Sequence, residues 1–333
     1  MTFKIALRIL FIALLFASPA FAGKAYDYFV VGNPNDVVTT ASPLLVMQGG
    51  GTDVDHNFVA MGAASGGGDF LVIRATGTDA YNQYIYDLCS CDSAATLIIK
   101  NRQAAFNSFV IDKIRNAEAL FIAGGDQSHY VVNWQGTPVE DAIHFVVNKP
   151  APVGGTSAGM AIMSEFVYGA LTGSSLTSAE GLANPFHRDL TLVRDFLVLP
   201  KLGGIITDQH LIERDRIGRT VAFLARLVND GWTGQGKAIA ADRETAVHLN
   251  PVDGTIEVFS TPDHPTPYVY FLRTPGPPEV CQPKTPLTYR NISVYRIGPG
   301  DSFDLDTWSG HGGISYTLSA EAGVLISSRG DIY

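Results

Sequence analysis

Five short, uninterrupted apolar runs constrain this chain more than any other feature: "PLLVMQ" at 43–48, "FLVIRAT" at 70–76, "TLIIK" at 96–100, "ALFIAG" at 119–124 and "GGIIT" at 203–207. Such continuous runs suit parallel strands covered on both faces. Helical patterns lie between them, as in "FVIDKIRNAE" at 109–118 and "TPVEDAIHFVVN" at 137–148. Strand alternating with helix predicts an α/β fold with a doubly wound, mostly parallel sheet. After about residue 238 the texture changes. "AIAADRETAVHLN", "GTIEVFS" and "YVYFLRT" read as shorter, partly antiparallel strands, and the proline-rich "TPGPPEVCQPKTP" as a surface loop. The expected organisation is a leader over 1–22, an α/β domain over 23–250, and a β-rich C-terminal extension over 251–333 packed on it.

The leader is read from "MTFKIALRILFIALLFASPAFA", with Lys4 and Arg8, an apolar run, and small residues at Ala20 and Ala22 before Gly23. These are the three regions of a signal peptide, although an uncleaved anchor helix would share the first two. Cleavage implies export to the periplasm or the exterior, and it leaves no stretch long enough to span a bilayer. The net charge of −9 becomes more negative once both cations are removed, which argues against a nucleic-acid partner. Three cysteines remain: Cys89, Cys91 and Cys281. An oxidising compartment permits a disulfide of Cys281 with Cys89 or Cys91, leaving one thiol over. "CSC" has no nearby histidine and no second pair, which argues against a metal site.

Polar and glycine-rich clusters follow the strands: "QGGGTDVDHNF", "GGDQSHY", "GGTSAGM" and "TDQHLIERDRIGR". In an open parallel sheet, loops after the carboxyl ends of strands meet in one crevice. "GTSAG" at 155–159 fits the G-x-S-x-G nucleophile elbow, and "AIMSEFVYGAL" after it reads as a helix. Ser157 is the candidate nucleophile, and the amide of Ala158 a candidate oxyanion donor. A capping serine in a glycine-rich turn would give the same pattern. A serine needs a base, and His210, just after a strand, sits at the same edge. Gly124 and Gly125 offer further amides to the oxyanion, and Gln127 a side chain to a substrate amide. Asp126 alone would make that segment a capped turn. Arg216 and Arg219 share a helical face, whereas Arg214 points elsewhere. Asp53, Asp55 and His56 allow a metal reading as a lesser alternative.

Together, "FIAGGDQ", "GGTSAGMAI" and "TDQHLIERDRIGR", in this order from about residue 44 to 250, resemble cyanophycinases and their peptidase relatives, which include aspartyl dipeptidase. The leader and the long C-terminal part are similar to the exported branch. The resemblance implies a fold like that of class I glutamine amidotransferases, and a serine exopeptidase that needs no cofactor. It implies hydrolysis of cyanophycin, a polyaspartate with arginine on each β-carboxylate, to β-Asp-Arg dipeptides. It implies Ser157 as nucleophile, His210 as base, and Gln127, Asp208, Gln209, Arg214, Arg216 and Arg219 in or near the substrate groove. The expected partner is a polypeptide substrate; neither nucleic acid nor, after cleavage, a membrane is expected, and a homodimer is compatible. The family's third catalytic residue is a glutamate in a "DExTA"-like segment. Here the segment reads "ADRETAV" at 241–247, so Arg243 takes that place and Glu244 follows it. Strand alternation would turn Glu244 to the other face unless a bulge returns it. Asp242 is the alternative carboxylate, and an incomplete triad the third possibility. Glu244 is the expected residue.

Overall fold

The structure is a computed structural model that describes residues 24–333; the leader expected over 1–22 lies outside the described residues. The first half contains β1 (Tyr26–Gly32), β2 (Leu45–Gln48), α1 (Asp55–Ala64), β3 (Asp69–Arg74), α2 (Tyr81–Cys89), β4 (Ser93–Ile99), α3 (Ser108–Asn116), β5 (Ala119–Ile122), α4 (Gln127–Trp134), α5 (Pro138–Asn148), β6 (Val153–Thr156) and α6 (Ala158–Ala161). Next come β7 (Phe166–Tyr168), α7 (Ser178–Ala183), β8 (Leu192–Arg194), β9 (Ile205–Gln209), α8 (Ile217–Asn229), β10 (Lys237–Ala241) and β11 (Thr245–Leu249). The remainder is β12 (Thr255–Ser260), β13 (Val269–Arg273), β14 (Tyr289–Ile297), β15 (Ser302–Asp304), β16 (Ser309–His311), β17 (Ile314–Glu321) and β18 (Val324–Ser327).

Among the described residues the strands form two sheets. The first runs β1-β4-β3-β5-β6-β2-β11-β12-β15-β16, and its stretch from β4 to β2 is parallel. The second runs β18-β17-β14-β13-β10-β9-β7-β8, parallel only from β10 to β7. The parallel α/β centre is as the apolar runs predict. The strands after residue 250 extend both sheets, whose central strands come from the earlier part of the chain.

Strand alternation sorts side chains between layers. Leu45 and Met47 of β2 face the same core as Ile239 and Ala241 of β10 and Val269 and Phe271 of β13, so this core joins the two sheets. Val46 faces the opposite way, into a cluster with Phe58 and Met61 of α1. Ala238 and Ala240 face a third cluster with α8. Helix α5 shows the local logic. Pro138 stands in its first turn, where the missing N–H costs nothing. Val139, Ala142, Ile143 and Val146 then bury one stripe.

Three expectations change. The helix expected over 161–171 ends after Ala161, and Phe166–Tyr168 becomes β7, because pairing with β8 and β9 overrides local propensity. "ADRETAV" is not one strand: β10 ends at Ala241 and β11 begins at Thr245, with Glu244 in the left-handed region at φ 55°. The disulfide joins Cys89 to Cys91, leaving Cys281 a buried lone thiol. Burial pushes that thiol up to about 11, so it stays protonated and inert.

Candidate active site

The ends of β2, β5, β6 and β9 meet at one edge, and a cavity of about 250 Å³ opens there beside Ser157. Ser157 follows β6 directly, at φ 51° and ψ −112°. That region is costly for a residue with a Cβ, about 1–3 kcal/mol. Its N–H donates to the Gln48 carbonyl (3.0 Å), tying the elbow to the end of β2. The flanking glycines are required by close approach. A Cβ on Gly159 would collide with the Ile122 carbonyl of β5, and one on Gly155 would press on the backbone of Gly159.

Ser157 Oγ lies 3.0 Å from His210 Nε2. His210 also has a left-handed backbone, φ 53°, and its N–H donates to the Gly49 carbonyl (2.9 Å). Its ring packs so closely on Gly50 that a Cβ there would overlap Nε2. "QGGG" is therefore the seat of the histidine. The His210 ring is buried, which lowers its pKa; a hydrogen bond to Glu213 opposes this, and the charges of Arg214 and Arg216 add to the lowering. The net shift is downward, which favours the neutral imidazole.

The far nitrogen, Nδ1, lies 2.6 Å from Glu213 Oε2. The expectation that Glu244 would stand there is corrected. Glu244 is in the β10–β11 turn, where its carboxylate accepts from Thr52 Oγ1 and Thr261 Oγ1, both at 3.3 Å. Its backbone N–H donates to the Gly50 carbonyl (2.6 Å). Asp242 does not reach the ring either; its Oδ1 accepts the N–H groups of Ile212 (3.0 Å) and Glu213 (3.1 Å). The sequence signal for Glu213 was its place three residues after His210. It reads more readily as an ion-pair partner for the arginines around it.

Gly124 lies against Ser157, and Gly125 at φ 150° lines the cavity. Ala158 is the first residue of α6, a position whose N–H has no acceptor within a helix. Gln127, Gln209, Arg214, Arg216 and Arg219 line the cavity as well. The Gln127 Nε2 donates to the Tyr168 carbonyl (3.2 Å). Asp208 is not among the lining residues. It is fully buried, bonded to the Arg219 guanidinium through two contacts and accepting from Thr220 Oγ1 (2.7 Å). Arg219 is thereby neutralised.

Arg216 is different. It is 7% exposed and donates to the Gln209 carbonyl (2.9 Å) and to Ser175 Oγ (3.4 Å), with no carboxylate in ion-pair range among the described residues. Burial and the charges of Arg219 and Arg214 lower it to about 10, so it remains a cation at neutral pH. Arg214 is half exposed at the rim. Asp53 and Asp55 accept from the hydroxyls of Tyr81 and Tyr84, and the His56 ring stacks on Phe259. Among the described residues no group of three or more His, Cys, Asp or Glu is placed to hold a metal ion.

A serine on a strained elbow at the carboxyl edge of a parallel sheet, bonded to a histidine, has the arrangement of an α/β serine hydrolase. The family model for peptidase family S51 matches residues 79–196. Cyanophycinases from Trichormus variabilis and from a Nostoc species are each 25% identical over 241 residues, covering 66% of this chain and 68% of theirs. A crystal structure of a peptidase from an acI-B1 actinobacterium shares the fold, with a TM-score of 0.52 and 14% identity over 80% of this chain and 98% of its own. The chain is a serine-type peptidase, similar to family S51 over that segment and to cyanophycinases over a longer one.

Proposed function

We propose that this chain is an exported exopeptidase that hydrolyses cyanophycin to β-Asp-Arg dipeptides through an acyl-enzyme on Ser157. The observation that carries the reading is the 3.0 Å Ser157–His210 contact at the mouth of a cavity walled by arginines. His210 Nε2 takes the Oγ proton as Oγ adds to the scissile carbonyl. Negative charge grows on the carbonyl oxygen, for which the Ala158 amide and those of Gly124 and Gly125 are the donors at hand. Collapse expels the amine, which takes the proton back from His210 and leaves the acyl on Ser157. Water activated by the same imidazole then releases the acid. Arg216, charged and without a carboxylate in ion-pair range among the described residues, is suited to a substrate carboxylate in the cavity. Gln127, Gln209 and Arg214 would complete that wall. Asp208 acts behind it by holding Arg219.

The same guanidinium favours a second reading, an exopeptidase for other aspartyl or isoaspartyl peptides. Mass analysis of products from insoluble cyanophycin, treated with the chain starting at Gly23, separates the two. β-Asp-Arg is the expected product. Ser157→Ala should keep the fold and lower turnover about 10³-fold or more. Turnover near wild type in that variant would end the serine reading.

A further inference from the structure

The carboxylate on His210 comes from an unexpected place. The chain from His210 to Arg216 is a compact turn: the Arg214 N–H donates to the His210 carbonyl (3.2 Å), and the Arg216 N–H to the Leu211 carbonyl (2.8 Å). With His210 in the left-handed region, the turn folds Glu213 back onto Nδ1 of the residue three before it. Asp242, 2% exposed, fixes this turn from below. Its Oδ1 accepts the two N–H groups at Ile212 and Glu213, while its Oδ2 accepts from Thr266 Oγ1 (3.0 Å). A carboxylate that touches the histidine is thus held by a second, buried carboxylate acting on its backbone. Glu244 faces another set of groups, with Arg243 at 3.6 Å and the buried His264 at 3.7 Å.

We propose that Glu213 is the positioning carboxylate of the Ser157–His210 pair, and that Asp242 and Glu244 of the β10–β11 turn hold the site's backbone instead. The inference rests on the serine-peptidase reading. An acceptor on Nδ1 keeps the proton there, so that Nε2 presents its lone pair to Ser157 Oγ; a negative one also stabilises the imidazolium formed on attack. Burial by itself would raise the Glu213 carboxyl. The His210 hydrogen bond and charge, with Arg214 and Arg243, outweigh it and hold the group below the ordinary range, so it is ionised where His210 is neutral.

Glu213→Gln, Glu213→Asp and Glu244→Gln separate the two carboxylates. Each variant is assayed for kcat and KM from acid to alkaline pH, and for the rate at which a fluorophosphonate labels Ser157, with thermal melts to confirm folding. Glu213→Gln should lower kcat and the labelling rate about 10²-fold or more with little change in KM. Its acid limb should move to lower pH, because the group that raises the His210 pKa has gone. Glu213→Asp should recover part of the rate, whereas Glu244→Gln should stay within a few-fold of wild type. A folded Glu213→Gln of undiminished rate, or a loss of rate with an unmoved acid limb, overturns the proposal. So does a Glu244→Gln variant that loses as much as Glu213→Gln. Ser157→Ala run alongside tells the failures apart: if it stays active the serine reading falls, and if only it is inactive then the assignment of Glu213 falls alone.

Discussion

At His210 two requirements oppose each other. The resting imidazole must be neutral to accept the Ser157 proton, yet its cation must be tolerated once it has done so. Burial and the cations Arg214 and Arg216 serve the first, and Glu213 the second. Because the net shift is below the ordinary value of 6.5, the proton leaves at lower pH than from a free histidine. The acid limb of kcat/KM should therefore centre below 6.5, with activity lost as pH falls through it. A limb at or above that value, in a pH series on the wild type, would show that the burial and arginine effects do not dominate. Ser157 and His210 could be read from the sequence because one stands in a G-x-S-x-G pattern and the other just after a strand, and strand ends share an edge. Glu213 could not. Its reach to Nδ1 depends on a left-handed histidine and a turn held from Asp242, and neither leaves a mark in residue type.

Between elements, a buried ion pair ties β9 to α8. Asp208 and Arg219 are both 1% exposed at the side chain. Burial would raise the Asp208 carboxyl, but Arg219, Arg216 and the Thr220 hydroxyl more than reverse this and hold it low. Asp208→Asn leaves the Arg219 charge buried without its partner. It should cost about 3–5 kcal/mol of stability, read from the denaturant midpoint at unchanged m-value. Replacing both residues by leucine and methionine should recover most of that loss. A single-variant cost below about 1 kcal/mol would mean that solvent or another group takes up the charge. The resemblance placed Asp208 in or near the substrate groove, but alternation along β9 turns it to the helix. The apolar strands were legible for a different reason: covered on both faces, they show uninterrupted apolar runs without alternation. β7 stayed hidden because "FVY" is too short to carry a period and is set by its partners. β10 and β11 were read as one piece because nothing in "DRE" announces a turn taken at positive φ by a glutamate.

On the scale of the molecule, the part after residue 250 is woven into both sheets. β12 pairs with β11, and β13 with β10, so the later strands extend the sheets at the edges nearest the site. Val269, Phe271, Ile297 and Phe303 share the inter-sheet core with Leu45, Met47, Ile239 and Val247. Thr266 holds Asp242, Thr261 holds Glu244, and the Tyr333 hydroxyl donates to Asp215 (2.6 Å) in the turn that carries Glu213. A chain cut after Asn250 would lose these contacts together. It would expose a contiguous apolar face on β10 and β11 and leave both strands with unpaired edges, the features that drive association. Such a truncation should yield aggregates or a species without a cooperative melt, not a smaller active enzyme. A soluble fragment 23–250 that melts cooperatively and labels at Ser157 at the full rate would show instead that the α/β part is autonomous. The compositional change near residue 238 marks the onset of antiparallel pairing. It does not mark a boundary across which few contacts pass, because strands supplied late in the chain close the core begun by the earliest ones.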